Sequence, residues 1–271
     1  MSRGAPCQRG FALIVVLWTV AFLALLGTQL LATGRQDAQL ARNLLDAAVL
    51  EAAANGAVQR AVFGVLDGSE RHWSPDGSVR IVHRGHVVVA VRVEDEADKI
   101  NPNLASARLL QALMRQVGAD PGTAAAVAAS IIDWRLAGPA DRPSATAARY
   151  AAAGRDYVPS GAPFASADEL GAVLGMTDDL LARLRPHLTV FTDGDPSAAT
   201  QDAVVAQALL AAGQADIDAE ESGTGLVSIT ADARGPGQAR FAIHVTVRTN
   251  ARPEGPRYQV LAYERLSDSP D

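Results

Sequence analysis

Cysteine and lysine each occur once in the 271 residues, as Cys7 and Lys99, and aromatic residues make up only 5%. A single cysteine cannot form an internal disulfide, and its place near the N-terminus, with no small-residue lipobox before it, speaks against thiol chemistry and lipidation. The five histidines, His72, His83, His86, His187 and His244, show no metal-ligand spacing beyond His83 and His86. Those two straddle a turn, where histidines are usually solvated. There is no G-x-S-x-G and no phosphate-binding glycine loop, so the residues point away from an enzyme. A basic excess is also missing. The net charge is −6, which disfavours a general nucleic-acid binder. The scarcity of lysine beside many arginines reads as genome composition.

What is abundant is alanine. It lifts the apolar share to 48% and predicts helices packed at close spacing. The length suffices for two compact units outside a membrane.

No charged residue interrupts the run FALIVVLWTVAFLALLGTQLLAT at 11–33. As a helix it would reach roughly 33 Å, enough to cross a bilayer core of about 30 Å. Arg3 and Arg9 precede it, which predicts a cytoplasmic leader and an outward-facing remainder. A cleaved secretory signal has a shorter apolar region and a small-residue exit, which 32–34 fits poorly. The helix is expected to continue, since Leu50, Ala54, Ala57, Ala61 and Val65 recur at spacings of three and four, with Val58 and Val62 on the same flank.

Beyond Asp67-Gly68 and Ser74-Pro75-Asp76-Gly77 the pattern changes to strands, expected at 78–83 and 86–94. Three more are expected at 225–232, 240–248 and 257–265, with Phe241, Ile243, Val245 and Val247 on one face. Between the two strand groups, 104–117, 124–135, 166–174, 178–188 and 200–212 carry helical spacing. Asp120-Pro121 predicts a helix start, and Ser166 with Glu169 predicts a capping box. The fold class is therefore α+β: a long N-terminal helix on a small antiparallel sheet, with an all-α domain inserted between its strands.

The leader, Gly10-Phe11 and the apolar run together resemble the prepilin-type leaders of type IV pilins and pseudopilins. The resemblance implies cutting by a prepilin peptidase after Gly10, with Phe11 the N-methylated first residue of the mature chain and a side-chain charge of −8 once Arg3 and Arg9 are lost. Most members of that class carry glutamate at the fifth mature position. Here it is Val15. A buried carboxylate in hydrocarbon needs a partner, so its absence suits a subunit at a filament tip, with none above it.

Further motifs are similar to one branch of the class, the pseudopilin K family of type II secretion systems. Asp98-Lys99-Ile100-Asn101-Pro102-Asn103-Leu104-Ala105 resembles the entrance to that family's helical domain, where the asparagines could cap a helix start. Ile131-Ile132-Asp133-Trp134-Arg135 and the stretch from Pro163 to Val190 resemble later segments. A faint repeat, Asn101–Ala105 against Asp195–Ala199, implies two SAM-like helix-hairpin-helix units. The expected layout is a leader at 1–10, a membrane segment at 11–33, pseudopilin helix and first strands at 34–97, helical units at 98–192 and 193–217, and closing strands at 224–266.

By the same resemblance the chain would be a single-pass inner-membrane protein with its bulk in the periplasm. It would sit at the pseudopilus tip with minor pseudopilins I and J, assist export of folded proteins, and meet the secretin or the exported proteins. Some family members hold calcium in the helical domain. Here only Asp133, Asp141 and Asp156 stand near the matching place, too few for the six to eight oxygens calcium takes. Two other readings remain open. A membrane-anchored DNA-binding or uptake protein would use Arg108, Arg115, Arg183 and Arg185, and a signal-anchored periplasmic binding protein would show no prepilin processing.

Overall fold

The structure is a computed structural model. It describes residues 9–137, 145–214, 225–236, 239–249 and 256–266, without the side chains of 9–12 and 26–38. Helix α1 (Arg9–Leu66) is continuous across the apolar run and the alanine-rich segment after it. The described side chains of the apolar run extend only from Leu13 to Leu25, and among the described residues no helix is long and apolar enough to cross a membrane. The span expected at 11–33 is thus not shown by the structure.

Five strands form one antiparallel sheet in chain order: β1 (Asp76–Arg84), β2 (Val87–Asp95), β3 (Leu226–Arg234), β4 (Arg240–Thr249) and β5 (Tyr258–Leu266). All five expected strands are present, displaced by a residue or two at their ends. Alternation then sorts the side chains. Val87, Val89, Val91 and Val93, with Phe241, Ile243, Val245 and Val247, meet Leu50, Ala54, Ala57, Val58, Ala61 and Val62 of α1 in one apolar core. The alanines let helix and sheet approach closely. At the helix end, Gly64 lies under the indole of Trp73, where a Cβ would fall 2.5 Å from the ring.

The excursion between β2 and β3 is helical: α2 (Ala107–Gln116), α3 (Pro121–Leu136), α4 (Ala145–Ala152), α5 (Asp178–Leu184) and α6 (Ala203–Ala212). Helix α4 lies in a stretch expected to be loop. Leu109, Leu113, Ile131, Leu170, Leu184 and Leu209 are buried in a second core that joins these helices. Residues of α2 and α6, on either side of the faint repeat, share that core.

Several starts differ from expectation. Asp120 caps α3 through the N–H groups of Gly122 and Thr123, as its sequence predicts. Ser166, however, makes no cap bond, and the segment after it is a 3-10 turn (Ala167–Ala172). Neither half of the box forms, since Glu169 accepts from the Ala165 N–H at 3.1 Å and not from that of Ser166. Six residues closed by a 3-10 bond leave no helical turn for Ser166 to cap.

Candidate functional site

Two surfaces collect the residues with functional interest: the free faces of α1, and the junction where the helical insert meets the sheet. Gly10 and Phe11 lie within α1, and their side chains are outside those described. Val15 is exposed beside Ile14, Trp18, Phe22 and Leu23 on an apolar surface. Farther along, the helix has two apolar faces. Leu50, Ala54 and Val58 are buried on the sheet, while Leu45, Val49 and Phe63, on the opposite side, are each more than half exposed. At 100° per residue, Ala48, Ala52 and Gly56 fall on this outer face with them, and nothing lies within 4 Å of a Cβ built on Gly56. Glycine in a helix interior costs stability relative to alanine, and no neighbour among the described residues accounts for it.

The junction is built around Lys99. Its ammonium donates to Glu96 Oε1 at 2.6 Å and to Ser228 Oγ of β3 at 3.0 Å, with Glu94 at 3.7 Å. The Thr189 hydroxyl donates to the other Glu96 oxygen. Both ions are out of solvent, with side-chain exposures of 8% for Lys99 and 3% for Glu96. Burial pushes the Glu96 carboxyl up, but the charge and hydrogen bonds of Lys99 and Thr189 outweigh it and hold Glu96 below its ordinary range. Immediately after Lys99, Ile100 pairs with Leu188 as a parallel bridge, donating to His187 O and accepting from the Thr189 N–H, both at 3.0 Å.

The asparagines that follow do not cap α2, although Asn101 Oδ1 accepts from the Asn103 N–H at 2.9 Å in the turn before it. Asn101 donates to Thr192 O at 2.7 Å, and Asn103 both donates to Phe164 O and accepts from the Phe164 N–H. The N-cap of α2 is Ser106, which accepts from the Leu109 N–H. A carboxamide offers donor and acceptor on one plane, so it can bind a passing strand of backbone in both senses. Arg135 completes the clamp, donating to Pro102 O at 2.7 Å and Ala105 O at 3.0 Å. Its neighbour Trp134 stacks on Phe164 at 5.9 Å between ring centres.

A cavity of about 230 Å³ lies between sheet and insert, lined by Glu94, Lys99, Asp168, Arg185, His244 and Glu264 among others. Burial and the Lys99 ammonium hold the His244 imidazole below its usual value, against the pull of Glu96, Glu264 and Glu94. The group shares a hydrogen bond with the Thr230 hydroxyl at 3.0 Å. The junction holds two protein segments together and leaves its groups committed to one another. Glu96 was missed from sequence. The signal was there, since the chain's only lysine stands three residues from a glutamate at the end of a buried strand.

The calcium candidates are not brought together. Asp133 pairs with Arg149, a cation from α4, Asp156 is exposed, and Asp141 lies outside the described residues. Among the described residues no group of three metal-ligating side chains forms. The four arginines considered for DNA are also partly neutralised, Arg183 by Asp179 and Arg185 by Asp168.

Residues 88–193, from β2 through the first part of the insert, match the family described as Type II secretion system (T2SS), protein K. The fold is similar to a chain in the crystal structure of the GspK-GspI-GspJ complex from the type 2 secretion system of enterotoxigenic Escherichia coli, at 15% identity. That match covers 86% of this chain and 99% of the other, with a TM-score of 0.54. No curated protein matches the sequence. The family match spans the strand, the Lys99 junction and the Asp133-Trp134 segment that set this fold apart from a helix on a plain sheet, and over that part the chain is similar to the type II secretion system protein K family.

Proposed function

We propose that this chain is a minor pseudopilin of a type II secretion system that caps the tip of a short periplasmic pseudopilus, in a complex with minor pseudopilins I and J, and assists export of folded proteins. The observation that carries the proposal is the second apolar face of α1. Leu45, Val49 and Phe63 face away from the sheet, and the small residues between them leave room for another helix. An apolar stripe exposed along a helix is what a partner helix covers. The likeness to a subunit of a GspK-GspI-GspJ complex supports the choice of partners. In the same reading, prepilin peptidase cuts at Gly10-Phe11, the 11–33 run anchors the chain in the inner membrane, Val15 marks the top position, and the insert is a pair of SAM-like units that broadens the tip. The secretin and exported proteins are then its outward contacts. The negative charge and the arginines already paired with aspartates support a protein partner over DNA.

The test is to produce the full chain in membranes with minor pseudopilins I and J, with and without prepilin peptidase, and to determine its N-terminus and its co-purifying partners. A chain that begins at N-methylated Phe11 only with the peptidase, and that carries both partners, is the expected result. Leu45→Glu with Val49→Glu should release the partners. An unprocessed chain, or partners retained by the double variant, would overturn the proposal.

A further inference from the structure

Among the described residues strand β1 is hydrogen-bonded to β2 alone, which leaves one long edge of the sheet open. Open edges are usually blunted by lysine, proline or shortness. This edge has nine residues, DGSVRIVHR, with neither lysine nor proline, and its one irregularity is a register shift between Asp76 and Val79, which leaves residues 79–84 regular. Its two faces differ in chemistry. Val79 and Ile81 point away from α1 and are about half exposed, and Val88 of β2 extends the same surface. On the α1 side, in step with the buried Val82, stand Arg80 and Arg84. The Arg80 guanidinium lies over Trp73 at 5.0 Å and donates through Nη2 to Ser74 O at 3.4 Å, while its Nη1, out of solvent, has no hydrogen-bond partner, only Asp76 at 3.9 Å. No ion pair to Arg84 forms among the described residues. The opposite edge is unlike it: β5 mixes Glu264 with Arg265, and its Tyr258 and Tyr263 hydroxyls are bonded to Gln59 and Asn55 of α1.

We infer that β1 is a docking edge for an extended segment of a partner protein, one that alternates apolar and acidic residues. A strand added there would gain main-chain hydrogen bonds along the edge. It would set its apolar side chains beside Val79 and Ile81 on one face, and its carboxylates beside Arg80 and Arg84 on the other. Opposite charges across neighbouring strands attract, and like charges repel. The same rule disfavours a second copy of this chain, because antiparallel pairing of β1 with itself about Val82 sets Arg80 against Arg84. This inference does not rest on the tip proposal, and a failure of either leaves the other standing.

The test uses the full chain in detergent micelles and fluorescent peptides of about ten residues, the length of a strand, alternating valine with glutamate or valine with lysine. The glutamate peptide should bind, the lysine peptide should not, and amide exchange should slow along β1 and not along β5. Charge reversal by Arg84→Glu, at an exposed site, should weaken the glutamate peptide about tenfold. Adding Arg80→Glu should transfer preference to the lysine peptide. Because Arg80 also covers Trp73, the single Arg84 variant keeps the test valid if the double variant is misfolded. Equal binding of the two peptides would overturn the inference. So would protection on β5, or a dimer forming through β1. Residues 215–220, Ala-Asp-Ile-Asp-Ala-Glu, alternate in the same sense, and protection of β1 in the chain alone would also overturn a partner's role.

Discussion

The sheet half and the helical insert of this chain are held by different physics. Between α1 and the sheet nearly every contact is apolar and periodic: valines at every second residue of β2, and Phe241, Ile243, Val245 and Val247 of β4, meet alanines and valines at every third or fourth of α1. The insert has an apolar core of its own, but it is fixed to the sheet by a few polar groups. Lys99 and Ser228 are 129 residues apart in sequence and Thr189 and Glu96 are 93 apart, while Asn101 and Thr192, 91 apart, tie two ends of the insert to each other. Apolar burial is additive and tolerant of exchange. A buried ion pair is neither, because each partner depends on the other's presence. The sheet half should therefore lose stability in proportion to what is removed, whereas the junction should fail when one group is lost and recover when its partner is removed too.

The largest effect should come from Lys99→Ala, which leaves Glu96 charged and buried. Its expected cost is about 3–5 kcal/mol, read as a lower urea midpoint. Lys99→Met with Glu96→Leu should recover most of that loss, since a well-packed apolar pair replaces a buried ion pair at little cost. If the double variant is as unstable as the single, the pair is not the unit that holds the junction.

Asn103→Ala should rank next. It strands the N–H and the carbonyl of Phe164, a buried residue. At about 1–3 kcal/mol for each unsatisfied group, a loss near 3 kcal/mol is expected if no water replaces the amide. A helix cap would cost only about 1 kcal/mol, so the size of the effect separates the clamp from the cap expected from sequence.

The sequence made the sheet half legible because period is written locally. The alternation of Phe241, Ile243, Val245 and Val247 and the three-and-four spacing from Leu50 each lie within one element, and all are buried as expected except Val65, which is half-buried against the same core. The junction was legible only as motif. The stretch Asp98 to Ala105 marked the place, but the asparagine partners, Phe164 and Thr192, come from segments that no local period connects to it. The helix α4 was hidden for a similar reason. Only Tyr150 of its residues is buried, so it carries no apolar stripe. For Asp133 the sequence showed an acid, and the structure adds the cation that answers it, Arg149.

The smallest expected effect tests the junction by pH and leaves every residue in place. His244 takes up a proton less readily in the folded chain, its proton affinity lowered by burial and by Lys99, with Glu96, Glu264 and Glu94 pulling the other way and Thr230 bonded to the ring. Unfolded, the imidazole titrates near the ordinary value of 6.5. As pH falls, the unfolded chain therefore takes up this proton first. Stability from His244 is intact above pH 6.5 and declines below it, down to the lower folded value. Glu96 behaves differently. Its folded proton affinity is also depressed, so its contribution is present above the ordinary carboxylate value of 4.5 and is lost only in more acid solution. The two windows separate the groups. His244→Gln, whose amide can still bond Thr230, should flatten the stability profile just below pH 6.5 and leave the acid limb unchanged. A slope that persists there in the variant would mean that another group, outside the junction, sets it.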